Sequence, residues 1–139
     1  MSHMPERLAE LRLHLDHLRE LRPKVLSAVQ LRRDLSLHND VLFSLLTVSQ
    51  LVIDVAGELC ARKALRFEDY TEAIRSLARL PEFPEPLIRQ LARLPGFRNV
   101  VIHEYVTLDL ERAIEALDDL APVEEFLEIV RRLEIDHPS

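Results

Sequence analysis

The stretch from Asp40 to Lys63 leaves the chain little choice of fold. It contains no proline and a single glycine, Gly57. Leu42, Leu45, Leu46, Ser49, Val52 and Ile53 recur at helical spacing, and Val41, Val48 and Val55 widen the stripe. A helix apolar around most of its girth must be surrounded by protein. The remaining segments therefore have to be amphipathic helices that cover it.

They have that character. Between Pro5 and about Arg22, Leu8, Leu11, Leu15 and Leu18 form one apolar stripe, and Pro23 ends the segment. Lys24 to Leu35 is a shorter helical piece, with a cap or kink expected between Ser36 and Asp40. Tyr70 to Leu80 and Pro86 to Leu94 are short helices separated by Pro81 and Pro84. A last helix is expected from Asp109 to Leu133, kinked at Pro122. Two glycines and no tryptophan in 139 residues, with 47% hydrophobic and 30% charged residues, fit an all-helical globular chain. The expected fold is all-α: an antiparallel four-helix up-down bundle with short extra helices, in one domain over residues 5–135. Residues 1–4 (Met-Ser-His-Met) resemble an expression-vector remnant and are set apart. The lone Cys60 has no internal disulfide partner, which favours a reducing compartment. With no signal peptide or apolar run of membrane length visible, a cytoplasmic location is expected.

Candidate chemistry is concentrated in Gly96-Phe97-Arg98-Asn99-Val100-Val101-Ile102-His103-Glu104-Tyr105. Pro95-Gly96 is expected to break the preceding helix. On a helix at about 100° per residue, with Arg98 at 0°, Asn99 falls near ~100°, His103 near ~140° and Tyr105 near ~340°. The four polar groups then share one side, with Arg98 and Tyr105 stacked and Asn99 within reach of His103. This set suits a phosphodiester. Arg98 can hold phosphate oxygens and offset their charge. His103 can move a proton near neutral pH, and Asn99 can fix its tautomer. No carboxylate cluster flanks them, so a reaction without metal or other cofactor is expected, with the RNA 2′-OH as nucleophile. One histidine supplies either the base or the acid, so a homodimer pairing two copies of the segment is expected to complete the site.

Other residues read more plainly. His14 and His17 lack a third ligand at matching spacing and are expected on solvated surface. Asp54, inside Leu51-Val52-Ile53-Asp54-Val55-Ala56, either bonds Arg98 or Tyr105 or faces solvent. Gly57 and Cys60 are expected to let a neighbouring helix approach. Arg89 and Arg93 are secondary candidates for RNA contact. The net charge of −6 opposes nucleic-acid binding in general, but its distribution is uneven. Residues 61–105 carry 8 Lys and Arg against 6 Asp and Glu, whereas residues 106–139 carry 3 against 10. The motif third is mildly basic, which fits a few phosphate contacts.

Arg98-Asn99-x-x-x-His103-x-Tyr105 resembles the Arg, polar residue, spacer, His, x, Tyr motif of HEPN domains, and in particular the HepT toxins of HepT/MntA toxin–antitoxin pairs. The helix order, the Asp54-containing helix and the Phe67-Glu68-Asp69-Tyr70 turn extend the resemblance over about Pro5 to Leu133. It implies a homodimeric, metal-independent endoribonuclease with Arg98 and His103 catalytic and Asn99 supporting. It also implies a nucleotidyltransferase antitoxin like MntA as partner, adding AMP to Tyr105. Some HEPN domains are instead non-catalytic nucleotide-binding or scaffolding modules for such a transferase. The bland alternative is a helical dimer in which Arg98 and His103 merely stabilise the interface.

Overall fold

The computed structural model describes residues 2–137, which form eight α-helices and no strand. They are α1 (Met4–Leu21), α2 (Ala28–Arg33), α3 (Leu35–Arg62), α4 (Tyr70–Ser76), α5 (Glu85–Leu91), α6 (Leu94–His103), α7 (Leu110–Leu117) and α8 (Ala121–Asp136). The long helices make an up-down bundle, and α2, α4, α5 and α7 are its short additions.

α3 is the central helix. Asp34 caps it, its carboxylate accepting from the Leu37 N–H at 3.1 Å, so the helix starts five residues earlier than Asp40 and runs without a kink. α1, α4 and α6 lie along it, with α2 and α7 beside them. The α1 stripe of Leu8, Leu11, Leu15 and Leu18 is buried against it. Contrary to the expectation that no run reaches membrane length, α3 is long and apolar enough to span a bilayer. Half of its 28 residues are nevertheless buried among the other helices, the position of a core helix.

Several local expectations need correction. The last helix is two helices: α7 ends at Leu117, and α8 restarts at Ala121 with Pro122 in its first turn, where a missing N–H costs nothing. Gly57 does not open space for a helix, since a Cβ there would meet only the Phe67 ring at an ordinary 3.8 Å. Cys60, by contrast, does let α4 approach as expected: it is buried, its Sγ 3.2 Å from the Ala73 carbonyl, and burial raises its thiol pKa. His14 and His17 are turned toward α3 rather than free on the surface, pairing with Ser44 at 3.0 Å and Asp40 at 2.7 Å. Ser2 and Met4 also belong to the packing. The Ser2 hydroxyl donates to Glu58 at 2.7 Å, and Met4 is fully buried.

Ion pairs tie the ends of the bundle together. The Arg12 guanidinium forks onto Glu124 through two bonds of 2.6 Å, and Arg19 adds a third at 3.1 Å. The Arg12 hydrogen bond is the main cause holding the Glu124 carboxyl below its usual range. A carboxyl depressed by folding adds stability above its unfolded pKa, and that stability is lost as pH falls through the depressed value. Glu124→Gln should therefore lower stability at neutral pH and flatten its acid dependence, as read by urea unfolding at successive pH values. An unchanged acid slope would show that the α1–α8 pair carries no net stabilisation.

Candidate functional site

α6 carries three of the four polar groups and shows why they face outward. Pro95 sits in its first turn, so the helix begins at Leu94 and Gly96 is an ordinary helical residue rather than a break. Nothing lies within 4 Å of where a Gly96 Cβ would be. Pro95 and Val101 are buried, and Phe97 and Val100 pack against the core. The opposite side presents Arg98, Asn99, Ile102 and His103. Asn99 and His103 are exposed and Arg98 is half-buried.

Arg98 is held by α3 and α4. Its Nε–H donates to the Gln50 side-chain carbonyl, and the Gln50 amide donates in turn to Asp54 Oδ1 at 2.9 Å. Its Nη1 donates to Asn99 Oδ1 at 3.0 Å, and its guanidinium carbon lies 5.8 Å from the centre of the Tyr70 ring. Asp54 therefore reaches the motif through an intermediary, bonding neither Arg98 nor Tyr105 directly. Asn99 turns to Arg98 instead of His103. Among the described residues His103 makes no hydrogen bond or ion pair, so its imidazole is available.

Tyr105 is not on the helix. α6 ends at His103, Glu104 adopts φ −126° and ψ 31°, and a turn closes with Thr107 N–H donating to the Glu104 carbonyl at 3.1 Å. The phenol swings to the start of α3, where its O–H donates to Asn39 Oδ1 at 2.5 Å and its oxygen lies 3.3 Å from His38 Nδ1. The His38 and Tyr105 rings meet edge to face at 5.5 Å. The expected stacking of Tyr105 on Arg98 at i, i+7 is thus replaced by separate anchors on α3. Asn39 and Gln50 are eleven residues apart, roughly 16 Å along the helix axis.

A groove nonetheless joins the two. Leu46, Thr47, Gln50, Leu51, Arg98 and Ile102 line one depression. Asn39, Leu42, Phe43, Leu46, Val101, Ile102 and Tyr105 line the next. Leu46 and Ile102 belong to both. Phe43, Ile102 and Tyr105, which line it, are exposed, a grouping of large apolar side chains beside polar motif residues. Of the secondary arginines, Arg89 is exposed and paired with Glu85 at 3.4 Å. Arg93 lines a different cavity with Gln90, Phe97, Arg112 and Glu115, which contains none of the four motif residues. No group of three or more His, Cys, Asp or Glu among the described residues is placed to hold a metal ion.

Sequence reasoning missed Gln50, Tyr70, His38 and Asn39 as neighbours of the motif. One signal for the first was present: Gln50 and Asp54 are polar, four apart on an otherwise apolar helix, and so share a face. The phenol tether gives a direct expectation. Tyr105→Phe keeps the ring but loses the bond to Asn39, which should cost about 1 kcal/mol and speed amide hydrogen exchange in the 104–107 turn. Unchanged exchange there would show that the hydroxyl does not hold the turn.

Comparison with known proteins agrees with this architecture. The family model described as Ribonuclease HepT-like matches residues 11–130. The fold is similar to that of a tri-AMPylated HEPN toxin from Shewanella oneidensis in complex with MNT antitoxin. The TM-score is 0.82 and the identity 19%, covering 95% of this chain and 99% of the other. It is similar also to a toxin–antitoxin MntA–HpeT structure bearing a tyrosine-to-alanine substitution, with TM-score 0.81 and 18% identity over 94% and 99% of the two chains. A toxin–antitoxin structure with AMP-PNP gives a TM-score of 0.79 at 19% identity over 91% and 96%. No curated protein sequence matches significantly. With the family model spanning most of its length and the motif on an open face of α6, the chain belongs to the HepT-like ribonuclease family.

Proposed function

We propose that the protein is the toxin of a toxin–antitoxin pair, a metal-independent endoribonuclease that works as a homodimer. The observation that carries this reading is the placing of Arg98, Asn99 and His103 together on one accessible helix face beside the exposed apolar rim of Phe43 and Ile102. A two-fold axis through that rim would bury the apolar groups and bring two imidazoles to one phosphodiester.

The chemistry then follows from the side chains. One neutral His103 accepts the proton of the RNA 2′-OH as that oxygen bonds to phosphorus. The two Arg98 guanidinium groups offset the charge growing on the non-bridging oxygens. The partner's His103, protonated, gives its proton to the departing 5′-oxygen. The products are a 2′,3′-cyclic phosphate and a 5′-hydroxyl, with no water or metal consumed. Each imidazole ends in the other's starting state, so a proton exchange with solvent resets the pair.

Regulation is proposed to come from a nucleotidyltransferase antitoxin like MntA that adds AMP to Tyr105. Similar solved structures support this partner class, being complexes with MNT or MntA antitoxins, one of them with a tri-AMPylated toxin. The geometry favours blockade along the groove. A nucleotide on Tyr105 would lie in the depression that leads past Leu46 and Ile102 to Arg98, adding negative charge where RNA phosphates would run. RNA, the transferase and a second copy are thus the proposed partners, in a cytoplasmic setting.

Purified protein should cut single-stranded RNA in EDTA and leave cyclic phosphate ends. His103→Ala should reduce the rate by at least about a hundredfold, as loss of an acid–base group does, with the dimer intact by sedimentation. A protein that binds RNA or nucleotide but never cuts would instead be a non-catalytic HEPN module. Equal cutting by wild type and His103→Ala would remove the histidine from the mechanism.

A further inference from the structure

We propose that Asp54 and Gln50 are positioning residues that set the angle of the Arg98 guanidinium while leaving its charge undiminished. The inference deepens the ribonuclease reading above and rests on it for its catalytic consequence. Its physical basis is donor–acceptor logic. A carboxylate can only accept, so Asp54 turns the NH2 end of the Gln50 amide toward itself, at 2.9 Å. The amide carbonyl is then forced to face the other way, where it accepts from Arg98 Nε–H. Without Asp54 the Gln50 amide could flip and present donors to a donor.

Three features make this a device rather than a chance contact. Gln50 and Asp54 are i, i+4 neighbours on the most rigidly surrounded helix, so their spacing is fixed by backbone. The Tyr70 ring lies against the guanidinium and limits its tilt. Of the five N–H donors of an arginine, the bonds to Gln50 and Asn99 occupy two, leaving three on Nη1 and Nη2 for a phosphate.

The choice of an amide between the two charges also matters. Among the described residues Arg98 forms no ion pair with any carboxylate. A carboxylate in direct contact would orient it equally well but would compete with the phosphate for its charge. Gln50 transmits the orientation imposed by Asp54 and keeps the anion one side chain away. Tyr105 is anchored elsewhere on α3, at Asn39.

The test is nitrogen-detected proton exchange at Arg98 Nε–H in the dimeric protein, run beside RNA cleavage. In wild type this proton should exchange with water about tenfold more slowly than that of the exposed Arg93, as a bonded donor does. Gln50→Leu and Asp54→Leu, which remove the carbonyl and the acceptor respectively, should abolish the protection and lower kcat/KM about tenfold, the effect of one charge-assisted hydrogen bond. Asp54→Glu, still an obligate acceptor, should restore both, which separates positioning from a general loss of folding. Gln50→Glu should keep Nε–H protected yet weaken binding of an uncleavable 2′-deoxy-substituted RNA. Wild-type exchange as fast as Arg93, or Asp54→Leu indistinguishable from wild type in both readouts, would overturn the proposal. If wild type cuts no RNA, the ribonuclease reading fails while the exchange data still decide whether the positioning pair exists.

Discussion

α3 is enclosed by α1, α4 and α6, and that enclosure makes the candidate site possible. Burial of its apolar residues among neighbours removes the freedom of the longest element in the molecule. The polar residues on its remaining face then act as fixed points. Asn39, near its N-terminal end, holds the Tyr105 phenol, and Gln50, three turns further on, holds Arg98. α6 contributes Arg98, Asn99 and His103 and the turn after it Tyr105, yet Arg98 and Tyr105 take their orientation from α3. A flexible arginine and a turn tyrosine thereby acquire defined places without a deep pocket of their own.

The groups that face solvent are arranged differently from those that hold the fold. Arg12, Arg19 and Glu124 form a closed network in which each charge meets an opposite charge. At the motif, Arg98 meets an amide and an aromatic ring, and His103 meets nothing among the described residues. Arg98 thus keeps its charge without a carboxylate partner, next to the exposed Ile102. Residues 106–139 hold the acidic excess of the sequence, and their Asp118, Glu124 and Glu134 pair with Arg22, Arg12 and Arg62.

Much of this was readable before any coordinates. The leucine stripe of α1 and the girdle of apolar residues on α3 fix their helical state and their burial. Arg98, Asn99 and His103 fall on the outward side of α6 because Val101 and Phe97 must face inward, and simple helical angles capture that. Tyr105 escaped the same reasoning because no glycine or proline marks the helix end. His-Glu-Tyr continues the helical spacing, and only the bonds to Asn39 and His38 show why the chain turns. The split between α7 and α8 was hidden for a similar reason: Pro122 begins a helix as readily as it kinks one. Gln50 left only the faint signal of its i, i+4 spacing to Asp54 on an apolar helix. Its role depends on Asp54 and Arg98 together, which only tertiary structure brings into contact.

The central claim is that one catalytic centre uses the imidazoles of two protomers. Mixing wild type with increasing His103→Ala under subunit exchange tests it most directly, with RNA cleavage measured at constant total protein. If acid and base come from different copies, only wild-type pairs cut, and activity falls as the square of the wild-type fraction. A linear fall would mean that each protomer cleaves on its own, and the shared-site account would be wrong.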